Sequence, residues 1–341
     1  MSEARFKVMM AESSSWVPAS LENLDVEIEE LAKVGAEVVR ADCSTEDEVI
    51  EAAKDADALL VIFAPITRKV LSSLPKLKVA VRYGVGYDTI DVDAAADNGV
   101  VVVNIPDFCL EEVADHAMAL LLACARRLVW STEGVKQGRW GEVQMGTIKN
   151  PSLFEQTMGV VGCGNIGSRI VSRAKSFGLK TIACDPYLDK SAAEKCGATL
   201  VSLPELLKES DYVCLQTPLN KETHHMIGEK ELKQMKPTAY LINTARGAVV
   251  DEAALIKALQ ENWIAGAGLD VFEKEPIELD NPLLKMDNVI LTPHYAVHTT
   301  TAMKRLRLSV AQEAARVLTG KWPRHWVNKG VKPKVPLVKE D

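Results

Sequence analysis

Long apolar runs and blocks of basic residues are both missing from this sequence. No segment offers about eighteen uninterrupted apolar residues, the length that a membrane-spanning helix needs, and the start of the chain carries no apolar stretch of signal-peptide length. The basic clusters at 136–139 and 304–307 are short, and the net charge is −7. Such a chain lacks the positive face that nucleic acid binding needs. We therefore expect neither a membrane nor a nucleic acid partner.

Paired cysteine motifs are also missing. The 7 cysteines are scattered, none stands in a CxxC spacing, and several lie inside apolar runs. They predict reduced core thiols in a cytoplasmic protein rather than disulfides or a metal centre. The adjacent His224 and His225 have no other candidate ligand nearby, so we predict no metal site.

The most informative stretch present is residues 157–185. An apolar run is followed by the letters GCGNIG and then by an amphipathic segment, which together predict a strand, a tight turn and a helix. Gly162 permits the turn, Gly164 lets the backbone approach a pyrophosphate, and Gly167 lets the helix pack closely on the strand. Asp185 ends the next apolar run, where a carboxylate can accept hydrogen bonds from an adenosine ribose. The unit predicts NAD as the cofactor, because the acid disfavours the 2′-phosphate of NADP.

Two α/β halves account for most of the chain, whose 341 residues suit two domains. Up to residue 103, short apolar runs alternate with polar-faced helical segments, but residues 13–16 stand where a glycine-rich turn would follow the first strand. After residue 185 the alternation resumes and predicts a doubly wound parallel sheet. A long helix is predicted at 300–319.

An almost wholly apolar helix is predicted between these halves, at residues 111–128. Such a helix is buried between layers, and a more polar helix is expected to follow at 130–140. We interpret His116, on the first of these helices, as a satisfied core residue rather than a catalytic one.

Three charged or titratable residues follow predicted strands of the second half. Arg246 comes after LINTA, Glu275 after GLDVFEK and His294 after VILTP. Taken singly, they resemble a surface ion pair, a loop acid and a turn residue. Ligands of such sheets bind beyond the carboxyl ends of the strands, which favours a shared site. An arginine can hold a carboxylate, and a histidine held by an acid can exchange a proton near neutral pH, so the trio suits hydride transfer.

The chain as a whole resembles the D-isomer-specific 2-hydroxyacid dehydrogenases. The motifs that carry the resemblance come in the family's order: GVGYDTID at 84–91, GCGNIG at 162–167, LQTPLNKETHHMI at 215–227, INTARGAVVDEAAL at 242–255, GAGLDVFEKEP at 266–276 and LTPH at 291–294. Within the family, the segments VRYGVGYD, NIPDFCLEEVADHA and PRHWVNK most resemble bacterial relatives of the C-terminal binding proteins.

The resemblance implies an α/β fold of two Rossmann-like domains, each with a doubly wound parallel sheet. A flavodoxin-like, split catalytic domain that binds substrate is expected at 1–105 and 296–341. An NAD-binding domain is expected at 106–295.

Residue roles follow from the same resemblance, which makes Arg246, Glu275 and His294 the catalytic set. The positions that match nucleotide contacts are Gly162, Gly164, Asn165, Ile166, Gly167, Asp185, Thr217, Thr244, Ala245, Arg246 and Asp270. The positions expected to contact substrate are Arg82, Val85, Gly86 and His298. Val297 stands where the C-terminal binding proteins carry a tryptophan, which argues against an identical substrate.

We therefore predict an NAD-dependent oxidoreductase that transfers a hydride between nicotinamide and C2 of a D-2-hydroxy acid or 2-oxo acid. The alternative is an NAD(H)-sensing interaction scaffold of the C-terminal binding protein type. Within the enzyme class, phosphoglycerate, hydroxypyruvate and sulfonated hydroxy acids remain open as substrates. The resemblance also implies a homodimer formed through the helices at 111–128 and 130–140.

Overall fold

The computed structural model of this chain describes residues 5–12, 23–145 and 152–339. The turn expected at residues 13–16 lies outside these ranges. Among the described residues, no helix is both long enough and apolar enough to cross a bilayer.

The chain divides into two compact units. One comprises Met1–Cys109 together with Thr299–Asp341, and the other is Leu110–His298. The division falls close to the domain boundaries expected from the sequence. The roles expected for the two domains stay predictions at this point.

The first unit contains a five-stranded parallel sheet in the order β2-β1-β3-β4-β5. Its strands are β1 (Phe6–Glu12), β2 (Ala36–Asp42), β3 (Ala58–Val61), β4 (Val79–Arg82) and β5 (Val101–Val103). This is the flavodoxin-like order of a doubly wound sheet, as predicted. The last three strands are buried along their whole length, which is why they appear in the sequence as unbroken apolar runs.

The helices described in this unit are α1 (Asp25–Ala32), α2 (Glu46–Ala53), α3 (Arg68–Ser73), α4 (Val92–Asp97) and α13 (Thr300–Leu318).

A buried ion pair joins the first and the last of these helices. Arg307 of α13 donates from Nε to Oε1 of Glu27 on α1 at 2.9 Å, and the Tyr83 hydroxyl donates to the same oxygen at 2.9 Å. Because Glu27 is fully buried, this cluster anchors the loop that begins after β4.

The second unit contains a seven-stranded parallel sheet in the order β12-β11-β10-β9-β6-β7-β8. Its strands are β6 (Thr157–Val161), β7 (Lys180–Cys184), β8 (Thr199–Leu200), β9 (Tyr212–Leu215), β10 (Tyr240–Asn243), β11 (Gly266–Leu269) and β12 (Val289–Leu291). Chain order reverses between β6 and β9, so the topological switch point lies beyond the carboxyl ends of these two strands. The predicted doubly wound sheet is confirmed.

Helices on both faces bury this second sheet. They are α5 (Leu110–Ala125), α6 (Leu128–Lys136), α7 (Trp140–Met145), α8 (Asn165–Ser176), α9 (Lys190–Cys196), α10 (Leu203–Glu209), α11 (Glu229–Leu232) and α12 (Glu252–Gln260). The apolar side chains of α5 pack against β10, β11 and α8 within this unit. The expectation of a buried apolar helix here is confirmed.

The predicted bounds of the helices around residue 130 are wrong. α5 ends at Ala125, and Arg127 adopts a left-handed φ of 50° before α6 begins. A second break follows α6, where Gly138 has a φ of 76° and α7 starts two residues later. Each break is set by one residue in a left-handed conformation, which hydrophobic periodicity does not detect.

Candidate active site

The glycine-rich turn after β6 is shaped by close backbone contacts. Gly162 has a φ of 89°, and a Cβ atom there would lie 2.7 Å from the carbonyl oxygen of Gln216. A Cβ atom at Gly167 would lie 2.1 Å from the carbonyl oxygen of Gly162, so α8 can approach the turn only with glycine at this position. A Cβ atom at Gly164 would meet nothing within 4 Å. The backbone at Gly164 therefore presents an open face.

This open face is suited to the pyrophosphate of a dinucleotide. No side chain caps the start of α8, where Asn165 and Ile166 follow Gly164. The N–H groups at such a helix start, together with the positive end of the helix dipole, favour an anion.

Asp185 stands at the end of β7, beside the same turn. Its Oδ2 accepts a hydrogen bond from the Cys163 backbone N–H, and its Oδ1 accepts one from the Tyr187 N–H, both at 2.9 Å. A carboxylate oxygen can accept more than one hydrogen bond, so both oxygens keep the capacity to accept from ribose hydroxyls. The residues present therefore fit the adenosine half of NAD.

A histidine and a carboxylate lie next to each other beyond the carboxyl ends of β11 and β12. His294 Nδ1 lies 2.7 Å from Glu275 Oε2, and Glu275 Oε1 accepts from the Phe272 backbone N–H at 3.0 Å. His294 has a left-handed φ of 53°, and its backbone N–H donates to the Asp270 carbonyl at 2.7 Å. Backbone groups nearby therefore hold both Glu275 and His294 in place. The Nε2 atom of the His294 ring lies on the side away from Glu275.

Asp270, at the end of β11, fixes the loop that carries His294. The Asp270 side chain is fully buried, and its Oδ1 accepts from the Thr292 hydroxyl at 2.5 Å and from the Tyr295 N–H at 2.8 Å. Its Oδ2 accepts from the Ala296 N–H at 3.0 Å. The structure thus gives Asp270 a supporting role, and its contact with the cofactor stays a prediction.

His116 belongs to this same cluster, which the sequence interpretation missed. Its Nε2 lies 2.9 Å from the Thr292 hydroxyl oxygen and 3.4 Å from Asp270 Oδ1. Because Thr292 gives its own proton to Asp270, it accepts one from His116, which sets the tautomer of that ring. His116 is therefore a positioning residue beneath the His294 loop and not merely a core side chain.

The net effect of these contacts on Asp270 is to lower its pKa. Burial raises the pKa of the carboxyl, and the hydrogen bonds from His116, from Thr292 and from the backbone of Tyr295 and Ala296 outweigh it. Asp270 is accordingly ionised at neutral pH, which makes each of these hydrogen bonds charge-assisted.

Arg246 lies on the loop that follows β10, and two contacts fix that loop. Asn243 is buried, donates from Nδ2 to the Arg246 carbonyl at 2.9 Å and accepts from the Ala245 N–H at 3.0 Å. A Cβ atom on Gly247 would lie 1.8 Å from the carbonyl carbon of Phe272. The loop of Arg246 therefore packs directly on the loop that leads to Glu275.

The remaining residues with predicted cofactor contacts occupy the same edge of the sheet. Thr217 follows β9, and Thr244 and Ala245 follow β10. The Thr244 hydroxyl accepts from Gln216 Nε2 at 2.5 Å, which links the loops after β9 and β10. The predicted nucleotide-contact residues thus lie beyond the carboxyl ends of β6, β7, β9, β10 and β11, around the switch point. Among the described residues, no group of three or more histidines, cysteines and acids is arranged to hold a metal ion.

His298 stands just before Thr299, the N-cap of α13. Its ring stacks on Tyr295 with centroids 5.1 Å apart. Burial, followed by the charge of His294, lowers the pKa of His298 against the opposing pull of Asp270. Its predicted contact with substrate stays a prediction.

The first unit holds the other predicted substrate contacts at the end of β4 and on the loop that follows it. Arg82 is only 8% exposed, and its guanidinium lies 5.4 Å from the centre of the Phe63 ring and contacts the Tyr83 carbonyl. The Val85 carbonyl accepts from Asn104 Nδ2 at 2.7 Å, which holds the loop before Gly86. Their substrate roles stay predictions.

The sequence analysis did not single out Asn243, Thr292 or Gly247 as supporting residues. Asn243 is the last residue of β10 and Thr292 directly follows β12, and a polar residue at such a position is the signal that could have found them. Polar residues at strand ends beside catalytic candidates commonly hold the loops that follow.

Proteins of known name resemble this chain along most of its length. Residues 118–296 match the family described as D-isomer specific 2-hydroxyacid dehydrogenase, NAD binding domain. A glyoxylate reductase of Korarchaeum cryptofilum is 44% identical over 285 residues, which span 83% of this chain and 86% of that relative. A D-3-phosphoglycerate dehydrogenase of Methanocaldococcus jannaschii is 43% identical over 311 residues, which span 91% of this chain and 58% of that relative.

Solved structures agree with these sequence matches. A D-lactate dehydrogenase from Aquifex aeolicus, complexed with NAD and lactic acid, superimposes with a TM-score of 0.80 and 34% identity. The match covers 92% of this chain and 96% of that one.

Proposed function

The chain belongs to the D-isomer-specific 2-hydroxyacid dehydrogenase family and is an NAD-dependent oxidoreductase of 2-hydroxy and 2-oxo acids, and we propose that Arg246, Glu275 and His294 are its catalytic residues. The 2.7 Å contact between His294 Nδ1 and Glu275 Oε2 carries this proposal, because it is the arrangement that a proton-transferring imidazole needs. The closer resemblance to the C-terminal binding proteins stays a prediction.

His294 exchanges the proton of the reaction. In reduction, Nε2 gives its proton to the C2 oxygen of the oxo acid, and in oxidation it takes the proton of the hydroxyl. Glu275 accepts the Nδ1 hydrogen, which orients the ring, and its negative charge stabilises the ring while it carries both protons. The Phe272 N–H keeps Glu275 in place for this task.

Arg246 holds the substrate. Its guanidinium binds the C2 oxygen, which it polarises, and the neighbouring carboxylate of the substrate. Asn243 and Gly247 fix the backbone on either side of Arg246, so the guanidinium starts from a rigid base.

The turn after β6 and Asp185 hold the cofactor. When bound, NAD(H) supplies or accepts the hydride at C2 of the substrate. Gly164 and the first N–H groups of α8 take its pyrophosphate, and Asp185 takes the adenosine ribose. Asp185 selects NAD over NADP, because a carboxylate repels a 2′-phosphate and Pro186 and Tyr187 follow it where an arginine would be needed.

We infer that glyoxylate or another short 2-oxo acid is the substrate. A relative named glyoxylate reductase matches over 86% of its own length, whereas the match to a relative named D-3-phosphoglycerate dehydrogenase stops at 58%. Backbone N–H groups of Val85 and Gly86, with Arg82, bind the substrate carboxylate in this proposal. We propose that His298 contacts the other end of the substrate.

The test is an NADH-absorbance assay against a panel of 2-oxo acids that includes glyoxylate, hydroxypyruvate, 3-phosphohydroxypyruvate and sulfopyruvate. We expect glyoxylate to be reduced with NADH and much more slowly with NADPH. His294→Gln should lower kcat by about 10²- to 10⁴-fold, because the proton donor is gone.

His224→Gln provides the matched control, since His224 is an exposed histidine of the same unit and should keep the wild-type rate. NADH titration of His294→Gln by fluorescence should give the wild-type Kd. Wild-type turnover by a His294→Gln variant that binds NADH normally would overturn the role given to this residue.

Two properties of the whole protein complete the proposal. We propose a homodimer that forms through α6 and α7, because α5 buries its apolar residues within its own unit while Trp140 and Met145 are 63% and 80% exposed.

A cytoplasmic location is proposed because all 7 cysteines are free thiols.

A further inference from the structure

Two thiols touch each other beside the cofactor turn. Cys163, between Gly162 and Gly164, is buried, and its Sγ lies 3.4 Å from Sγ of Cys196, the last residue of α9. Sulfurs joined in a disulfide are about 2.05 Å apart, so these two need to approach by roughly 1.4 Å. The two cysteines come from separate elements, so their contact is not a matter of sequence proximity.

We propose that Cys163 and Cys196 form a reversible disulfide that weakens the binding of NAD. The pair is then a modification site that couples the oxidation state of two thiols to cofactor affinity. The proposal depends on the cofactor turn alone and not on the roles given to Arg246, Glu275 and His294.

The different exposure of the two sulfurs determines which of them a peroxide oxidises first. Cys196 is partly exposed, whereas Cys163 is buried, and this burial raises the pKa of the Cys163 thiol to about 12. A peroxide therefore oxidises Cys196 first, giving a sulfenic acid and one water as the O–O bond breaks. The Cys163 sulfur then attacks the sulfenic sulfur, the S–S bond forms, and the second water leaves with the thiol proton. Two thiols are oxidised and one hydrogen peroxide is reduced to two waters.

The reverse step needs only a dithiol reductant. Its thiolate attacks one sulfur of the disulfide, and its second thiol then displaces the mixed disulfide, which restores both cysteines. Thiol pairs of this kind in reducing compartments are typically redox-sensing rather than structural.

The turn transmits a movement of Cys163 to the groups that bind cofactor. The Cys163 N–H donates to Asp185 Oδ2 at 2.9 Å, so displacement of the residue breaks or stretches the contact that orients this acid. Gly162 has little room to absorb the movement, because a Cβ atom there would lie 2.7 Å from the Gln216 carbonyl oxygen and a Cβ atom at Gly167 would lie 2.1 Å from the Gly162 carbonyl oxygen. The shift therefore passes to Gly164, which faces the pyrophosphate.

The end of α9 that carries Cys196 is anchored to the sheet. The carbonyl oxygen of Gly197, which follows Cys196, accepts from the Thr181 hydroxyl of β7 at 2.7 Å. This bond holds the end of α9 to the sheet, so the cofactor turn takes a large share of the displacement when the sulfurs join.

The experiment measures the NADH Kd of the reduced protein and of protein oxidised with hydrogen peroxide and then freed of it. NADH fluorescence gives the Kd, and mass spectrometry of peptides identifies the linked cysteines. We expect a peptide linked through Cys163 and Cys196, a Kd raised about tenfold, and recovery with dithiothreitol. In a dithiothreitol redox buffer, saturating NADH should shift the thiol–disulfide equilibrium towards the reduced pair by the same factor, by the reciprocity of coupled equilibria.

Two variants sharpen the result. Cys196→Ser should bind NADH as the reduced wild type does and should show no change after peroxide. Cys184→Ser removes another half-buried thiol of the same unit and should keep the full response. The proposal is overturned if peroxide oxidises the protein without linking Cys163 to Cys196, or if the linked protein binds NADH with an unchanged Kd.

Discussion

At the scale of single residues, the site rests on side chains that hold other groups in place. Asp270 is the clearest case, because a fully buried carboxylate gathers Thr292, Tyr295 and Ala296 under the loop of His294. Such a carboxylate needs all of its partners, since a buried charge without hydrogen bonds is costly.

Asp270→Asn tests this dependence through the pH profile of stability. The pKa of Asp270 is lowered in the folded protein, so its contribution is complete well above the ordinary value of 3.8 and is lost as the pH falls through the lowered value. At pH 7 the variant should unfold with a free energy about 1–3 kcal/mol smaller, because an amide nitrogen replaces one acceptor. Chemical unfolding, followed by circular dichroism at pH 7 and at acid pH, should show the difference shrinking on acidification.

Asp280→Asn is the matched control, as Asp280 is an exposed acid of the same unit. A loss of stability in Asp270→Asn that is equally large at both pH values would contradict the account of an ionised Asp270.

Sequence reasoning named the groups that we propose to react and missed most of those that support them. Arg246, Glu275 and His294 each follow a strand, and a strand end is visible in an apolar run. His116 instead meets Thr292 across 176 positions of sequence, from the middle of an apolar helix. Nothing local distinguishes it from a core histidine, because its partners are set by how α5 packs on the sheet.

At the scale of elements, the loops after β10 and β11 act as one surface. Gly247 is the point of closest approach, since a Cβ atom there would lie 1.8 Å from the Phe272 carbonyl carbon and 2.4 Å from the Glu273 nitrogen. Both neighbours are backbone atoms, which cannot rotate away.

Gly247→Ala should therefore push the two loops apart and separate Arg246 from Glu275. We expect kcat/KM to fall at least about tenfold and stability to fall by about 1–3 kcal/mol, as in overpacked cores. Steady-state kinetics and thermal unfolding measure the two effects. Gly228→Ala serves as the comparison, because its Cβ atom would meet no atom closer than 3.7 Å and should leave kcat/KM near the wild-type value.

Strands were easier to foresee than helix ends. A parallel strand that is buried on both faces must be apolar throughout, so it is visible in the sequence as a short apolar run. The breaks at Arg127 and Gly138 depend on the backbone conformations of single residues. Periodicity averages over a helical turn and does not register them.

At the scale of the whole molecule, the proposed dimer makes a prediction about mass. Sedimentation should give twice the 37.3 kDa of one chain at micromolar concentration. Trp140→Glu should shift the protein towards a single chain, because a charge would enter the centre of the proposed apolar contact. Leu279→Glu changes an even more exposed apolar residue outside α6 and α7 and should leave the mass unchanged. A wild-type protein that sediments as one chain would refute the dimer.

The return of α13 to the first unit has a consequence for how the protein is made. Glu27 and its partner Arg307 are 280 positions apart in the chain, with the whole second unit synthesised between them. At about 5–20 residues per second, a ribosome takes tens of seconds to cover that distance. During this interval the second unit can fold as a continuous segment, while the first unit has its sheet but not the arginine that neutralises its buried acid. Because synthesis runs from the N-terminus, the second unit can complete its folding before the first unit, although the strands of the first unit leave the ribosome earlier.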